Sequence, residues 1–222
     1  MTPKKEIKYN FYHWGPFLFQ STITDEFKNL ILEEGLKVRG KSDESYVKKL
    51  AGHMKEEYKL SPTRFTEHFK HYLEAYTIGY NQWRGNAGMK PDASLLSLWI
   101  NYMKAGDFNP PHDHSGDLSF IIFPDVPEEI TKECNDFEGT MRGPGGVSWI
   151  YGDGGRMCIS AVHALPKTND IFIFPASVKH YVFPFKSAVT RISVSGNIRF
   201  DAQDSRVNYF EGKEPKKDGW YY

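Results

Sequence analysis

Two histidines separated by one residue stand in a polar stretch of the second half of the chain. His112 and His114 lie in the segment NPPHDHSGD, between two apolar runs. Residues i and i+2 of an extended chain point to the same side, so both imidazoles can face one point while Asp113 faces the other way. Imidazole is a common ligand of iron and other transition metals. The spacing therefore predicts a metal site.

A third histidine and an arginine follow on later strand candidates. His180 begins the run HYVFPF, and Arg191 and Ser193 form a second i, i+2 pair eleven residues further on. Two close ligands from one strand and a distant histidine from another have the layout of a facial triad, which leaves coordination positions open. A guanidinium beside a hydroxyl suits a carboxylate, because arginine offers forked donors and a permanent charge. These residues predict a metal site with an anion anchor.

The elements that position these residues differ between the two parts of the chain. Apolar residues recur at helical spacing over 24–36, 42–60 and 63–83, so the spacing predicts three helices there. Beyond residue 92, seven short apolar runs are separated by glycine, proline and aspartate, and several alternate with period two. Such runs predict an antiparallel sandwich or barrel. The sequence therefore predicts an α+β fold in which helices pack against a β-sandwich.

Composition narrows the class of protein. The 222 residues include 28 Lys+Arg and 28 Asp+Glu, so no net charge favours nucleic acid or an anionic membrane. Two cysteines, Cys134 and Cys158, are too few for a disulfide framework and favour a reducing compartment. No apolar leader and no run of about 20 apolar residues is visible. We expect a cytoplasmic protein with no membrane or nucleic-acid partner.

Three segments together resemble a known superfamily. They are WINYMKAGDFNPPHDHSGDLS, DIFIFPASVKH and RISVSGN, and the opening WGPFLFQSTI adds to the likeness. The chain resembles the Fe(II)- and 2-oxoglutarate-dependent oxygenases, above all the small members from bacteria and bacteriophages. A phage-encoded member would act in the cytoplasm of its host. The resemblance implies one domain over 1–222, with a mostly helical part at 1–92, a double-stranded β-helix (jelly-roll, cupin-like) core at 93–205 and a tail at 206–222.

The resemblance also implies roles for individual residues. His112 and His180 would bind iron, Arg191 would bind the distal carboxylate of 2-oxoglutarate with help from Ser193, and Tyr102 would contact the cosubstrate. The superfamily usually has an aspartate or glutamate two residues after the first histidine, where this chain has His114. We expect His114 to complete the triad. The alternative is a carboxylate, Asp117 or less favourably Asp113, if the chain turns back at Ser115-Gly116.

The expected cofactors are Fe(II) and 2-oxoglutarate, and the expected reaction is hydroxylation of a small-molecule or peptide substrate by dioxygen, with release of succinate and CO2. Two alternatives belong to other classes. One is a cupin-like three-histidine dioxygenase that does not use 2-oxoglutarate, and the other is a jelly-roll binding module without catalysis. The glycine-rich segment 139–156 is a candidate flap over the active site. Neither the primary substrate nor the oligomeric state follows from the sequence.

Overall fold

The computed structural model describes residues 15–85, 88–90, 92–140, 143–154 and 159–200. The start of the N-terminal segment, Cys158 and the expected tail at 206–222 lie outside these residues. The strands, in chain order, are β1 Phe19–Thr22, β2 Glu57–Lys59, β3 Ala93–Met103, β4 Asn109–His112, β5 Leu118–Asp125, β6 Val147–Ile150, β7 Ala161–Ala164, β8 Asp170–Pro175, β9 Lys179–Val182 and β10 Arg191–Phe200. The helices are α1 Asp25–Val38, α2 Thr66–Trp83 and α3 Glu128–Asn135.

The strands form two antiparallel sheets. The major sheet has six strands in the order β1-β8-β5-β10-β3-β2, and the minor sheet has four in the order β4-β9-β6-β7. All pairs within both sheets are antiparallel. The prediction of a mixed fold with antiparallel sheets is therefore confirmed.

Two of the three predicted helices are confirmed. Helix α1 begins where the sequence indicates, because the Thr24 hydroxyl caps it by accepting a hydrogen bond from the Phe27 N–H at 3.2 Å. Helix α2 follows Pro62 and buries one side of its apolar stripe. Among the described residues, no helix combines the length and the apolar composition needed to cross a membrane.

The helix predicted over 42–60 is wrong. This segment contains one short 3-10 turn at Val47–Lys49 and then strand β2, which extends the edge of the major sheet. Gly52 interrupts the apolar spacing, and its position shows why a glycine is there, since an added Cβ would overlap the Asn109 side chain. Pairing of β2 with β3 thus overrides a local pattern that had helical periodicity.

Two apolar clusters, one on each face of the major sheet, hold the layers together. Helices α1 and α2 pack on the outer face, against residues such as Leu98, Ile100 and Tyr102 of β3. The minor sheet packs on the inner face, where Trp149 contacts Phe172. Because side chains alternate along a strand, Trp99, Asn101 and Met103 of β3 point toward the space between the sheets. That space contains the candidate site.

Four residues at the centre of the expected flap belong to the minor sheet. Residues 143–146 form a tight turn, and the next four are strand β6, which pairs with both β7 and β9. Trp149 of this strand is buried in the core between the sheets. The described part of segment 139–156 that forms this strand is therefore core rather than flap. Residues 141, 142, 155 and 156 lie outside the described residues.

Candidate metal centre

The three predicted histidines meet at one end of the minor sheet. His112 of β4 lies directly opposite His180 of β9 in the antiparallel register. Two residues beyond the end of β4, the His114 N–H donates to the Ala176 carbonyl at 2.9 Å. One nitrogen from each imidazole lies within 4.8 Å of the other two. Within the described part of the chain, this is the only group of three histidine, cysteine or acidic side chains close enough to share a metal ion.

Backbone carbonyls orient two of the three imidazoles. The Nδ1 atom of His112 lies 2.7 Å from the Pro110 carbonyl oxygen, and that of His180 lies 3.0 Å from the Val178 carbonyl oxygen. With Nδ1–H donating in each ring, the Nε2 lone pair is left free, as in most metal-binding histidines. The Nε2 atoms of His114 and His180 are 3.2 Å apart. Two nitrogens bound to one metal at about 2.1 Å and at right angles lie about 3 Å apart, so the donor set fits a metal ion.

Burial keeps two of these rings neutral. It lowers the pKa of His180 to about 3 and that of His114 to about 4, and the charge on His112 lowers both further. Neutral imidazole is the form that binds a metal, so His114 and His180 need lose no proton at neutral pH.

The two nearby carboxylates are engaged with other partners. Asp113 is exposed and pairs with the Lys179 ammonium at 3.1 Å. Asp117 is also exposed, and its Oδ2 atom accepts a hydrogen bond from the Phe200 N–H at 2.8 Å. Asp117 therefore holds the end of β10 beside the start of β5 and is not part of the histidine cluster.

A buried arginine faces the histidines from the major sheet. Arg191 is only 2% exposed and donates to the Gly145 carbonyl at 2.7 Å and to the Met103 sulfur at 2.8 Å, while its guanidinium lies 5.3 Å from the centre of the Phe123 ring. Its Nε–H has no partner, and no described carboxylate pairs with it. Burial lowers its pKa to about 10, so it remains charged. A buried cation without an anion is costly, which points to an anionic ligand.

A cavity of about 220 Å³ lies between the three histidines and this arginine. Ser193 lines it, and its hydroxyl oxygen accepts a hydrogen bond from the Asn101 Nδ2 at 3.3 Å. In the register of β10 and β3, Ser193 lies opposite Asn101 and Arg191 lies opposite Met103. The structure thus brings His112, His114, His180, Arg191 and Ser193 to one cavity.

Tyr102 does not face this cavity, contrary to what the resemblance implies. It is buried on the outer face of the major sheet, where its ring packs against Tyr58 and the Arg39 guanidinium lies 4.1 Å from its centre. Burial is the main cause of its raised pKa. A strand residue one position away from a cavity residue must point to the other face, so Asn101 lines the cavity and Tyr102 does not.

Glu57 is a cavity residue that the sequence did not indicate. It is 1% exposed, its Oε2 atom has no hydrogen-bond partner, and burial raises its pKa to about 7, with a smaller effect from the charge of Asp107. In the run KEEYK it reads as one of two surface glutamates. The only signal is the alternation of β2, which puts Glu57 and Tyr58 on opposite faces of a strand that periodicity had assigned to a helix.

Comparison with known proteins agrees with this geometry. Residues 97–197, which include all the cavity residues predicted from the sequence, match the family described as "Putative 2OG-Fe(II) oxygenase". Viral collagen prolyl hydroxylase from Paramecium Bursaria Chlorella virus-1, in its 2OG complex, is 12% identical with a TM-score of 0.51, over 84% of this chain and 98% of that one. A prolyl-4-hydroxylase from Pseudomonas putida is 13% identical with a TM-score of 0.49, over 83% and 93%. No curated protein sequence matches the chain.

The antiparallel sheets, the three-histidine cluster and the buried arginine are the features expected of a metal-dependent enzyme that binds an anionic ligand. The viral prolyl hydroxylase shares the fold, and the family match identifies the chemistry. The resemblance stated from the sequence is confirmed for residues 97–197, which match the 2OG-Fe(II) oxygenase family and so indicate an oxidoreductase with Fe(II) and 2-oxoglutarate as cofactors.

Proposed function

We propose that this oxygenase hydroxylates an organic or peptide substrate. One C–H bond of the substrate becomes C–OH, dioxygen supplies the oxygen atom, and 2-oxoglutarate is converted to succinate and CO2. The two sheets would be the two halves of a double-stranded β-helix, with the reaction in the cavity between them. Bound Fe(II) would supply the oxidising chemistry. The protein would contribute binding, orientation and the exclusion of water.

In this proposal the iron is held by His112, His114 and His180. Support comes from the spacing of their nitrogens, from the two Nδ1–carbonyl contacts and from the neutral state of the buried rings. Three imidazoles leave the metal one negative charge short of the superfamily's usual set with a carboxylate. We expect this difference to alter the affinity for Fe(II) and its redox potential while leaving open positions for ligands.

The observation that carries the proposed use of 2-oxoglutarate is the buried, unpaired charge of Arg191. A dicarboxylate that reaches the iron with its keto-acid end would place its distal carboxylate at the opposite wall of the cavity, where Arg191 and Ser193 lie. A carboxylate there would supply the anion that the guanidinium lacks and an acceptor for its free Nε–H. Asn101 would hold the Ser193 hydroxyl in place.

The direct test is succinate formation. Purified protein incubated with 2-oxoglutarate, ascorbate and air should release succinate when Fe(II) is added and none when Fe(II) is replaced by Zn(II). Iron binding without succinate would favour the cupin-like three-histidine dioxygenase. Failure to bind either iron or 2-oxoglutarate would favour a binding module without catalysis.

A further inference from the structure

Three buried oxygens without a hydrogen-bond donor line one border of the cavity. They are Glu57 Oε2, Asn101 Oδ1 and Asn109 Oδ1. Strand β2, with Glu57, is the edge of the major sheet, and strand β4, with Asn109, is the edge of the minor sheet. The cluster therefore lies where both sheets end beside the same cavity. The partly exposed segment 49–52 completes this wall.

The three side chains are close neighbours. Glu57 lies opposite Asn101 in the antiparallel register, which puts their Cβ atoms about 4.5–5.5 Å apart. A Cβ added to Gly52 would contact both Asn109 Oδ1 and Glu57 Oε1. Glu57 and Asn109 therefore meet beside Gly52, and all three side chains line the cavity of the three histidines.

No described cation neutralises Glu57. The charged group that acts on it is Asp107, which has the same sign. Lys49 lines the same wall, but its ammonium lies 5.4 Å from the centre of the Tyr46 ring and does not pair with Glu57. Arg191 is engaged with Gly145 and Met103. A buried acceptor in a cavity wall with no donor is an expected contact point for a ligand.

The cosubstrate cannot supply these donors. At neutral pH 2-oxoglutarate has two carboxylates and a ketone, all of them acceptors, and its negative charge would repel Glu57. A primary ammonium has the opposite character, with three donors, no acceptor and a positive charge. The carboxylate decides the sign of the charge, because the two amides can present either an oxygen or a nitrogen.

We propose that Glu57, Asn101 and Asn109 form a subsite for a protonated amine carried by the primary substrate. This inference rests on the proposed function, since it names the substrate class of that same cavity. The substrate would be an amine-bearing compound or peptide side chain that enters between the two sheet edges. Its ammonium would bind at Glu57, and its target C–H bond would face the three histidines.

A matched pair of probes and a matched pair of variants test this subsite. The probes are n-butylamine, an ammonium at pH 7.5, and the isosteric n-butanol, titrated calorimetrically without oxygen into protein that contains Fe(II) and 2-oxoglutarate. The variants are Glu57→Gln and Glu56→Gln. Glu56 is the neighbouring residue, but its carboxylate pairs with Arg39 and Lys104 outside the cavity. The two substitutions therefore remove the same charge from two neighbouring residues, of which only Glu57 lines the cavity.

We expect n-butylamine to bind wild-type protein and Glu56→Gln more tightly than n-butanol does. Glu57→Gln should lower the affinity for n-butylamine at least about thirty-fold and leave the affinity for n-butanol unchanged. As a second variant, Asn109→Asp adds a carboxylate to the cluster and should tighten amine binding. Equal affinity for both probes in wild-type protein, or an unchanged amine affinity in both Glu57→Gln and Asn109→Asp, would overturn the inference.

The same samples separate this inference from the proposed function. Iron and 2-oxoglutarate affinities, measured in wild-type protein before the probes are added, test the oxygenase site alone. Normal binding of both cofactors without any preference for the amine removes only the subsite. Absence of cofactor binding in the wild-type protein would instead contradict the proposed function.

Discussion

The minor and major sheets contribute opposite kinds of polar group to the cavity. The minor sheet contributes three imidazoles; burial keeps those of His114 and His180 neutral, and backbone carbonyls orient those of His112 and His180. The major sheet contributes Arg191 and Glu57, which are buried and lack a partner of opposite charge among the described residues. The metal site is therefore preorganised by the protein, whereas the groups of the major sheet depend on a ligand for charge balance. Substitutions in the minor sheet should therefore reduce iron binding, whereas substitutions in the major sheet should reduce ligand binding and leave iron binding intact.

We expect the largest effect on iron binding from substitution of a histidine in the minor sheet. His180→Ala removes the ligand that lies opposite His112, and we expect Fe(II) affinity to fall more than about 100-fold, the upper range for loss of groups that merely support a ligand. His163→Ala is the matched control, because His163 lies on β7 of the same sheet but contacts Ser148 at 2.6 Å outside the cluster. Equal iron binding by both variants in an anaerobic titration would refute the triad.

The identity of the third iron ligand can be tested with substitutions of His114 and Asp117. His114→Ala should lose iron, and Asp117→Asn should keep it, because the Asp117 carboxylate is engaged with the Phe200 N–H. His114→Asp, which restores the superfamily's usual carboxylate, should still bind iron. The opposite pattern, with iron lost in Asp117→Asn and kept in His114→Ala, would make Asp117 the ligand.

On the major sheet, Arg191→Met should weaken the binding of 2-oxoglutarate and leave the binding of iron unchanged. Removing one side of a buried charge pair costs roughly 2–5 kcal/mol, or about thirty- to several-thousand-fold in affinity. The metal-free variant should also melt at a higher temperature without 2-oxoglutarate, because an unpaired buried cation has been replaced by an apolar side chain. Arg199→Met, at an exposed position on the same strand, should change neither property. Unchanged 2-oxoglutarate binding in Arg191→Met would contradict the assignment of the anion site.

A smaller effect is expected from pH in the metal-free protein. His114 and His180 have pKa values of about 4 and 3 when folded and about 6.5 when unfolded, so the unfolded chain takes up protons first and stability falls as pH drops from about 6.5 to 4. Glu57 acts in the opposite direction, because its folded pKa of about 7 exceeds its unfolded value. Thermal melts between pH 7.5 and 4.5 should therefore show a steeper acid loss in Glu57→Gln than in wild-type protein. A shallower loss would contradict these protonation states.

The smallest effect tests the two faces of β3. Tyr102→Phe should leave the 2-oxoglutarate affinity within about twofold of the wild-type value, because the ring faces the helices. Asn101→Ala should lower this affinity, because it releases the Ser193 hydroxyl. That hydrogen bond is worth about 1 kcal/mol, or roughly fivefold in affinity. Calorimetric titration of both variants decides between them. A larger loss in Tyr102→Phe would restore the role that the resemblance implies.

Sequence alone predicted the groups whose arrangement depends on local spacing. His112 and His114 face the same side because they are two residues apart on an extended backbone, and the runs around His180 and Arg191 form strands. The features that the sequence did not predict depend on pairing between strands that are distant in the chain. Glu57 becomes buried only when β2 pairs with β3, and residues 42–60 looked helical because their apolar spacing fits that period. For Tyr102, the superfamily likeness gave a role, but the register of β3 decides which face each residue occupies.

The most direct test is a crystal structure of the protein grown without oxygen and soaked with Fe(II) and 2-oxoglutarate. We predict iron bound by one nitrogen each of His112, His114 and His180, at about 2.0–2.3 Å. The distal carboxylate of 2-oxoglutarate should contact Arg191 and Ser193 across the cavity. Iron coordinated by Asp117 instead of His114, or 2-oxoglutarate bound away from Arg191, would contradict the division of the site between the two sheets.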